Sequence, residues 1–128
     1  MMNDSDTPLE ILKEMVRQFA RQRNWQQYHT PKNLAGSIAI EAAELLEHFQ
    51  WLTPEQTERE QLPPEKVRKI AEECADVLAY LLGLADRLEI DLAAAFEKKM
   101  RRNEEKYPVS KFRDRYGYDD PQLERTEH

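Results

Sequence analysis

Glu41 and Glu44, then Glu73 and Asp76, form two pairs of carboxylates, each spaced three residues apart within a strongly helical stretch. An i, i+3 spacing puts both members on neighbouring positions of one helix surface, so two such helices side by side aim four hard oxygen ligands at one point. The chemistry this serves is coordination of Mg²⁺. Winding the first stretch at about 100° per residue sets Glu41 inside the apolar stripe Leu34, Ile38, Leu45, Phe49 and Leu52, with Glu44 at its edge. A carboxylate turned toward a core requires a partner, because burying an isolated charge is costly. No Lys or Arg lies between Leu34 and Trp51 to supply one, so a cation from outside the chain is the simpler account. The second pair is less determined. Val67, Ile70, Ala71, Cys74, Val77, Leu78, Leu81, Ala85 and Leu88 make the apolar side of that helix, and Glu73 with Asp76 fall on its flank beside Val77, Tyr80 and Leu84. An exposed acidic patch stays open there, and the matching pair on the preceding helix weighs against it.

The elements that must position these acids read as helices throughout. Thr7-Pro8-Leu9-Glu10 has the form of a capping box with proline at the first helical position, opening a helix with the stripe Leu9, Leu12, Val16, Phe19 and Ala20 that runs to about Arg23. Residues 24–31 break the pattern and carry Trp25, Tyr28 and His29, which makes a loop bearing large rings. A second helix is predicted from Pro31 to about Leu52, then a polar connection with one short turn after Thr53. The third helix starts at Pro64 and runs to about Glu89; the fourth is capped by Asp91 and runs to about Lys106. Tyr107-Pro108 ends it, since the residue before proline is pushed out of the helical region. The expectation is one all-α domain over 1–108, four-helix bundle-like, followed by a polar and flexible arm over 109–128. Cys74, the sole cysteine, reads as a small core-facing filler.

Composition narrows the class. A length of 128 residues fits a single domain whose surface-to-volume balance oligomerisation would improve. A net charge of −6 argues against electrostatic binding of polymeric nucleic acid, which shows as a basic stripe. A phosphorylated small molecule remains suitable if a metal supplies the positive charge. The polar start, Met1 to Thr7, has neither the apolar core of a signal peptide nor an Arg-rich presequence, and no apolar run approaches the ~20 residues of a membrane span. A cytoplasmic enzyme or binding protein is expected. Ser37 has no convincing base partner and the three histidines form no triad or zinc spacing, so nothing points to a covalent intermediate.

The run from Trp25 to Leu34, the pair Glu41/Glu44, Phe49-Gln50-Trp51, the pair Glu73/Asp76, Lys99-Met100 to Asn103, and Tyr107-Pro108 together resemble the MazG-like nucleotide pyrophosphohydrolases, over about residues 8–109. Their order and spacing carry the likeness, which is strongest to the small dCTP pyrophosphatase branch. The resemblance implies an all-α, Mg²⁺-dependent homo-oligomer, a dimer or tetramer. Its activity would be hydrolysis of nucleoside triphosphates to monophosphate and pyrophosphate in nucleotide-pool sanitation. It also implies Glu41, Glu44, Glu73 and Asp76 as metal ligands and catalytic residues, Trp25, His29 and Trp51 around the base, and Lys99, Asn103 and Tyr107 on phosphate and sugar oxygens. Lys99, Asn103 and Tyr107 share a face at i, i+4 and i+8. The family often carries a further glutamate just before the first ligand, and here that position is Ile40; Glu47, one turn beyond Glu44, is the compensating candidate. Glu44 and Glu47 are the candidate general bases. dCTP or a modified dCTP is the implied substrate, with dUTP or another triphosphate as the alternative within enzymes and an acidic helical oligomerisation or regulatory module as the alternative outside them.

Overall fold

Thr30 Oγ1 accepts a hydrogen bond from the Asn33 backbone N–H at 3.2 Å, and Pro31 follows at the first helical position. The capping oxygen satisfies one orphan donor and the proline pre-sets φ, which fixes the start of helix α2 (Pro31–Glu47). The computed structural model describes residues 1–116. Its other helices are α1 (Leu9–Gln22), α3 (Pro64–Arg87), α4 (Leu92–Lys106) and the single turn α5 (Val109–Phe112), with two short 3₁₀ turns, Glu55–Thr57 and Arg59–Gln61, between α2 and α3. Among the described residues there is no strand, as the all-α expectation requires. None of these helices is long and apolar enough to cross a membrane.

The chain divides into two compact units, Met1–Asp91 and a second beginning at Leu92. In the first, α3 is the central element and packs against both α1 and α2. The approach is closest at Gly83, where an added Cβ would lie 3.5 Å from Val16 Cγ1 and 3.7 Å from Leu34 Cδ2, so both partner helices reach the α3 backbone at one level. Leu34, Leu82, Ala20 and Ala85 form the small buried apolar core. In the second unit α4 leads into α5, and the Tyr107 and Phe112 rings meet edge to face at 5.0 Å.

α1 and α3 end alike. Asn24 and Glu89 adopt left-handed φ values of 54° and 55°. Trp25 N–H then returns to Ala20 O at 2.9 Å and Ile90 N–H to Ala85 O at 2.8 Å, the hydrogen bonds of a Schellman termination. The buried Lys13 donates from Nζ to Ile90 O at 2.6 Å, which puts its charge at the negative end of α3. One turn on, Arg17 donates from Nε to both Asp86 oxygens at 3.2 Å and also engages Glu10 and Glu14. The guanidinium holds the Asp86 carboxyl below the usual carboxylate range.

Several expectations are corrected. The Thr7 capping box does not form: Pro8 is the N-cap of α1, and Thr7 Oγ1 instead accepts from Asn3 N–H in an upstream turn. α2 stops at Glu47 rather than near Leu52, because His48, Phe49 and Leu52 switch to i→i−3 hydrogen bonds. Cys74 is exposed, as are Leu78, Leu81 and Leu88. The apolar arc of α3 is wider than one face, and α1 with α2 cover only part of it. The arm expected from residue 109 begins with the turn α5, and its remainder at 117–128 lies outside the described residues.

The α1–α3 ion pair is half-buried and multidentate, so Asp86→Ala should lower unfolding free energy by about 1–2 kcal/mol, above an exposed pair's worth. Urea unfolding measures it. A loss within error of zero would show that Glu10 and Glu14 alone hold Arg17.

Candidate active site

The packing of α2 on α3 carries Glu41 to the second acidic pair. One carboxylate oxygen from each of Glu41, Glu73 and Asp76 lies within 4.8 Å of the others. Glu44, half-buried one turn along α2, is within hydrogen-bonding reach of Glu41 but stands outside that compact group of three. Glu47 is the last residue of α2 and is exposed. Sequence spacing thus brings together the expected carboxylates from both helices, with three of them tightly convergent.

The electrostatics of the group ask for a cation. Glu41 Oε2 and Glu73 Oε2 are both buried and find no hydrogen-bond partner. Burial, then the neighbouring carboxyl groups of Glu44, Asp76 and Glu73, push the Glu41 pKa up from 4.5 to about 7. Oxygens sharing one Mg²⁺ at its usual bond length sit about 3–4 Å apart. The envelope of 4.8 Å here is close to that spacing. All donors are hard oxygens, which suits Mg²⁺ and leaves room for water and phosphate oxygens. The residues present fit a divalent cation.

Against this acidic group opens an apolar cavity of about 430 Å³, within the usual range of small-ligand sites. Met15, Val16 and Phe19 of α1 form one wall, Ala79, Tyr80 and Asp76 of α3 another, and Leu34 of α2 closes the depth. Trp25 and His29 of the connecting loop complete it. The rings run edge to face from Phe19 to Trp25 (5.6 Å between centroids), Trp25 to His29 (5.9 Å) and His29 to Tyr80 (6.4 Å). Asp76 belongs to both the cavity and the acidic group.

Two of the three expected base-pocket residues, Trp25 and His29, therefore meet. Trp51 does not line this cavity: it lies beyond the end of α2 and is 87% exposed. Lys99, Asn103 and Tyr107 stand in the second unit, where Tyr107 N–H bonds Asn103 O at 2.8 Å and Asn103 is half-buried. Sequence reasoning missed Tyr80 and the α1 wall. The signal for Tyr80 was its place four residues after Asp76, one turn along the same face.

The raised Glu41 pKa gives a pH signature. Between pH 4.5 and about 7 the folded protein holds a proton on Glu41 that the unfolded chain has released, so this group's contribution to metal-free stability falls as pH rises through that window. In EDTA, Glu41→Gln should therefore melt progressively higher relative to wild type from pH 5 to pH 8. Mg²⁺ at about 100 times its dissociation constant should add about 2.7 kcal/mol to wild type and far less to the variant. Parallel melting curves in EDTA, with equal gains from Mg²⁺, would mean that Glu41 is held by a protein partner instead.

Comparison with known proteins identifies the family. Residues 37–119 match the model of the MazG-like family. The chain is 39% identical over 101 residues to dCTP pyrophosphatase 1 of Mus musculus and 38% identical over 101 residues to that of Homo sapiens. Each alignment takes in 79% of this chain and 59% of the relative, so the chain spans about three-fifths of the length of these curated relatives. The crystal structure of a pyrophosphatase from Archaeoglobus fulgidus is similar with a TM-score of 0.73 at 46% identity, over 84% of this chain and 99% of that one. On the extent of the family match and the identity to these relatives, the chain belongs to the MazG-like family.

Proposed function

We propose that this protein is a Mg²⁺-dependent nucleoside triphosphate pyrophosphohydrolase, acting on dCTP or a modified dCTP and yielding the monophosphate and pyrophosphate. The observation that carries the reading is the double membership of Asp76. A base seated among Trp25, His29 and Tyr80 would direct its phosphates toward Glu41 and Glu73, with Asp76 on the boundary. That the mouse and human relatives are dCTP pyrophosphatases supports the choice of substrate.

Glu41, Glu73 and Asp76, with Glu44 completing the set, would hold the metal. Bound Mg²⁺ would supply charge neutralisation to the phosphates and to the departing pyrophosphate. Glu44 is the stronger candidate to accept the proton of the attacking water, since it adjoins Glu41 without belonging to the tight three, and Glu47 is the alternative. Aromatic faces give about 1–3 kcal/mol per base whatever its identity, so discrimination of cytosine falls to polar groups, and the cavity wall offers His29, Asp76, the Tyr80 hydroxyl and the Trp25 indole N–H. On the family resemblance, Lys99, Asn103 and Tyr107 would take phosphate and sugar oxygens.

The same reading includes a homo-oligomer. α2 is apolar on two sides of a polar arc made by Asn33, Ser37, Glu41, Glu44 and Glu47, yet of its residues only Leu34 is buried. Gly36, Ala39, Ala43 and Leu46 share its outward side and are exposed, and a helix with two apolar faces calls for cover on both. A cytoplasmic setting accords with the exposed thiol of Cys74, and removal of unwanted triphosphates from the nucleotide pool is the role that follows.

Incubation with individual dNTPs and Mg²⁺ should release pyrophosphate rather than orthophosphate, fastest from dCTP or a modified dCTP; preference for dUTP would move the reading to that substrate, and no turnover at any Mg²⁺ concentration would end it. Glu41→Gln, Glu73→Gln and Asp76→Asn should each lower turnover by at least ~100-fold in folded protein, with Glu44→Gln in the same range. Near-normal rates in any two would remove the proposed metal site. Ala43→Arg should split the assembly, read by light scattering against wild type.

A further inference from the structure

Residues 24–30 carry the two rings that the α1–α2 loop contributes to the cavity, yet most of their hydrogen bonds are local. Tyr28 N–H and His29 N–H both return to Trp25 O, at 2.9 and 3.0 Å, and Asn33 Nδ2 reaches Tyr28 O at 2.9 Å. Bonds of this kind shape the loop without fixing it on the helices behind it. One bond differs: Arg87 Nη1, in the last turn of α3, donates to the Gln26 carbonyl at 2.9 Å across 61 residues of sequence. Gln26 follows Trp25 directly, and Gln26, His29 and Arg87 line one small cavity of about 50 Å³. The preceding residue, Asp86, grips α1 through Arg17. Successive side chains of α3 thus tie down two walls of the apolar cavity.

We propose that Arg87 is a positioning residue for substrate binding: by holding the Gln26 carbonyl against α3, it presets Trp25 and His29 for a nucleobase before the ligand arrives. This rests on the reading of the cavity as the base pocket. Loop order that exists before binding does not have to be created by the ligand, and so appears as affinity rather than as chemical rate. A guanidinium suits the task, since it stays charged and its planar fork loses little freedom per bond formed.

The test compares Arg87→Ala, Arg87→Lys and Trp25→Ala in steady-state hydrolysis of the best triphosphate, together with hydrogen exchange of the Tyr28 and His29 amides. Arg87→Ala should raise KM at least about fivefold with kcat within about twofold, and should speed exchange at both amides about tenfold or more. Arg87→Lys, which keeps a donor, should recover part of both effects. Should Arg87→Ala not fold, Arg87→Gln carries the comparison. If Trp25→Ala raises KM while Arg87→Ala leaves KM and exchange unchanged, the pocket reading stands and the role of Arg87 is overturned. If Trp25→Ala leaves KM unchanged, the pocket reading fails and takes this proposal with it. A drop in kcat at constant KM for Arg87→Ala would also overturn it.

Discussion

The interaction on which this structure turns is the repulsion among Glu41, Glu73 and Asp76 where α2 meets α3. Helix packing ordinarily places apolar or oppositely charged groups at such a level. Here two carboxylate oxygens are buried without a donor, and no Lys or Arg on α2 lies within reach along the chain beyond Lys32. Protonation of Glu41 relieves part of the conflict, as its pKa of about 7 indicates. A cation would relieve more, because it meets the buried oxygens directly instead of removing one charge. Stability is given up at the point where charge density serves the chemistry, a pattern expected of functional sites.

The polar ties of α3 lie toward its C-terminal end, beyond Glu73 and Asp76 at mid-helix. There three cations each find an acceptor: Lys13 the Ile90 carbonyl, Arg17 the Asp86 carboxylate, Arg87 the Gln26 carbonyl. Between the acidic group and these ties sits the apolar cavity, walled by side chains of α1, α3 and the α1–α2 loop. α1 packs on α3 far more than on α2, and the polar ties of Lys13 and Arg17 add to that packing in setting the position of the α1 wall. Met15 and Phe19, both about half exposed, face an opening that bulkier core packing would have closed.

The acids were legible in the sequence because a physical contradiction marked them: Glu41 fell inside an apolar stripe with no local cation, and a second i, i+3 pair matched it. Trp25 and His29 were legible as rings in a loop. The orientation of α3 was not, since apolar residues occupy so wide an arc that periodicity cannot say which part a neighbour covers; Cys74 and Leu78 landed on the uncovered part for that reason. Helix ends misled where side chains had competing uses, as when the Thr7 hydroxyl served Asn3 instead of the start of α1. The clasps of Lys13, Arg17 and Arg87 join residues 61 to 77 positions apart, and no local pattern could have announced them.

α2 ties these threads together. One side presents Glu41 and Glu44; the opposite side presents Gly36, Ala39 and Ala43, residues whose small side chains allow another backbone to come close. Because the helix turns once every 3.6 residues, the spacing that points the carboxylates inward also points these small residues outward. A partner seated on the outer side, as proposed, would hold the same few turns that carry two of the four acids. Repulsion among the carboxylates pushes α2 away from α3, and a covered outer face would act against that push. Assembly would then contribute to the site without supplying a single ligand, by keeping α2 where its carboxylates must stand for a cation to bridge them.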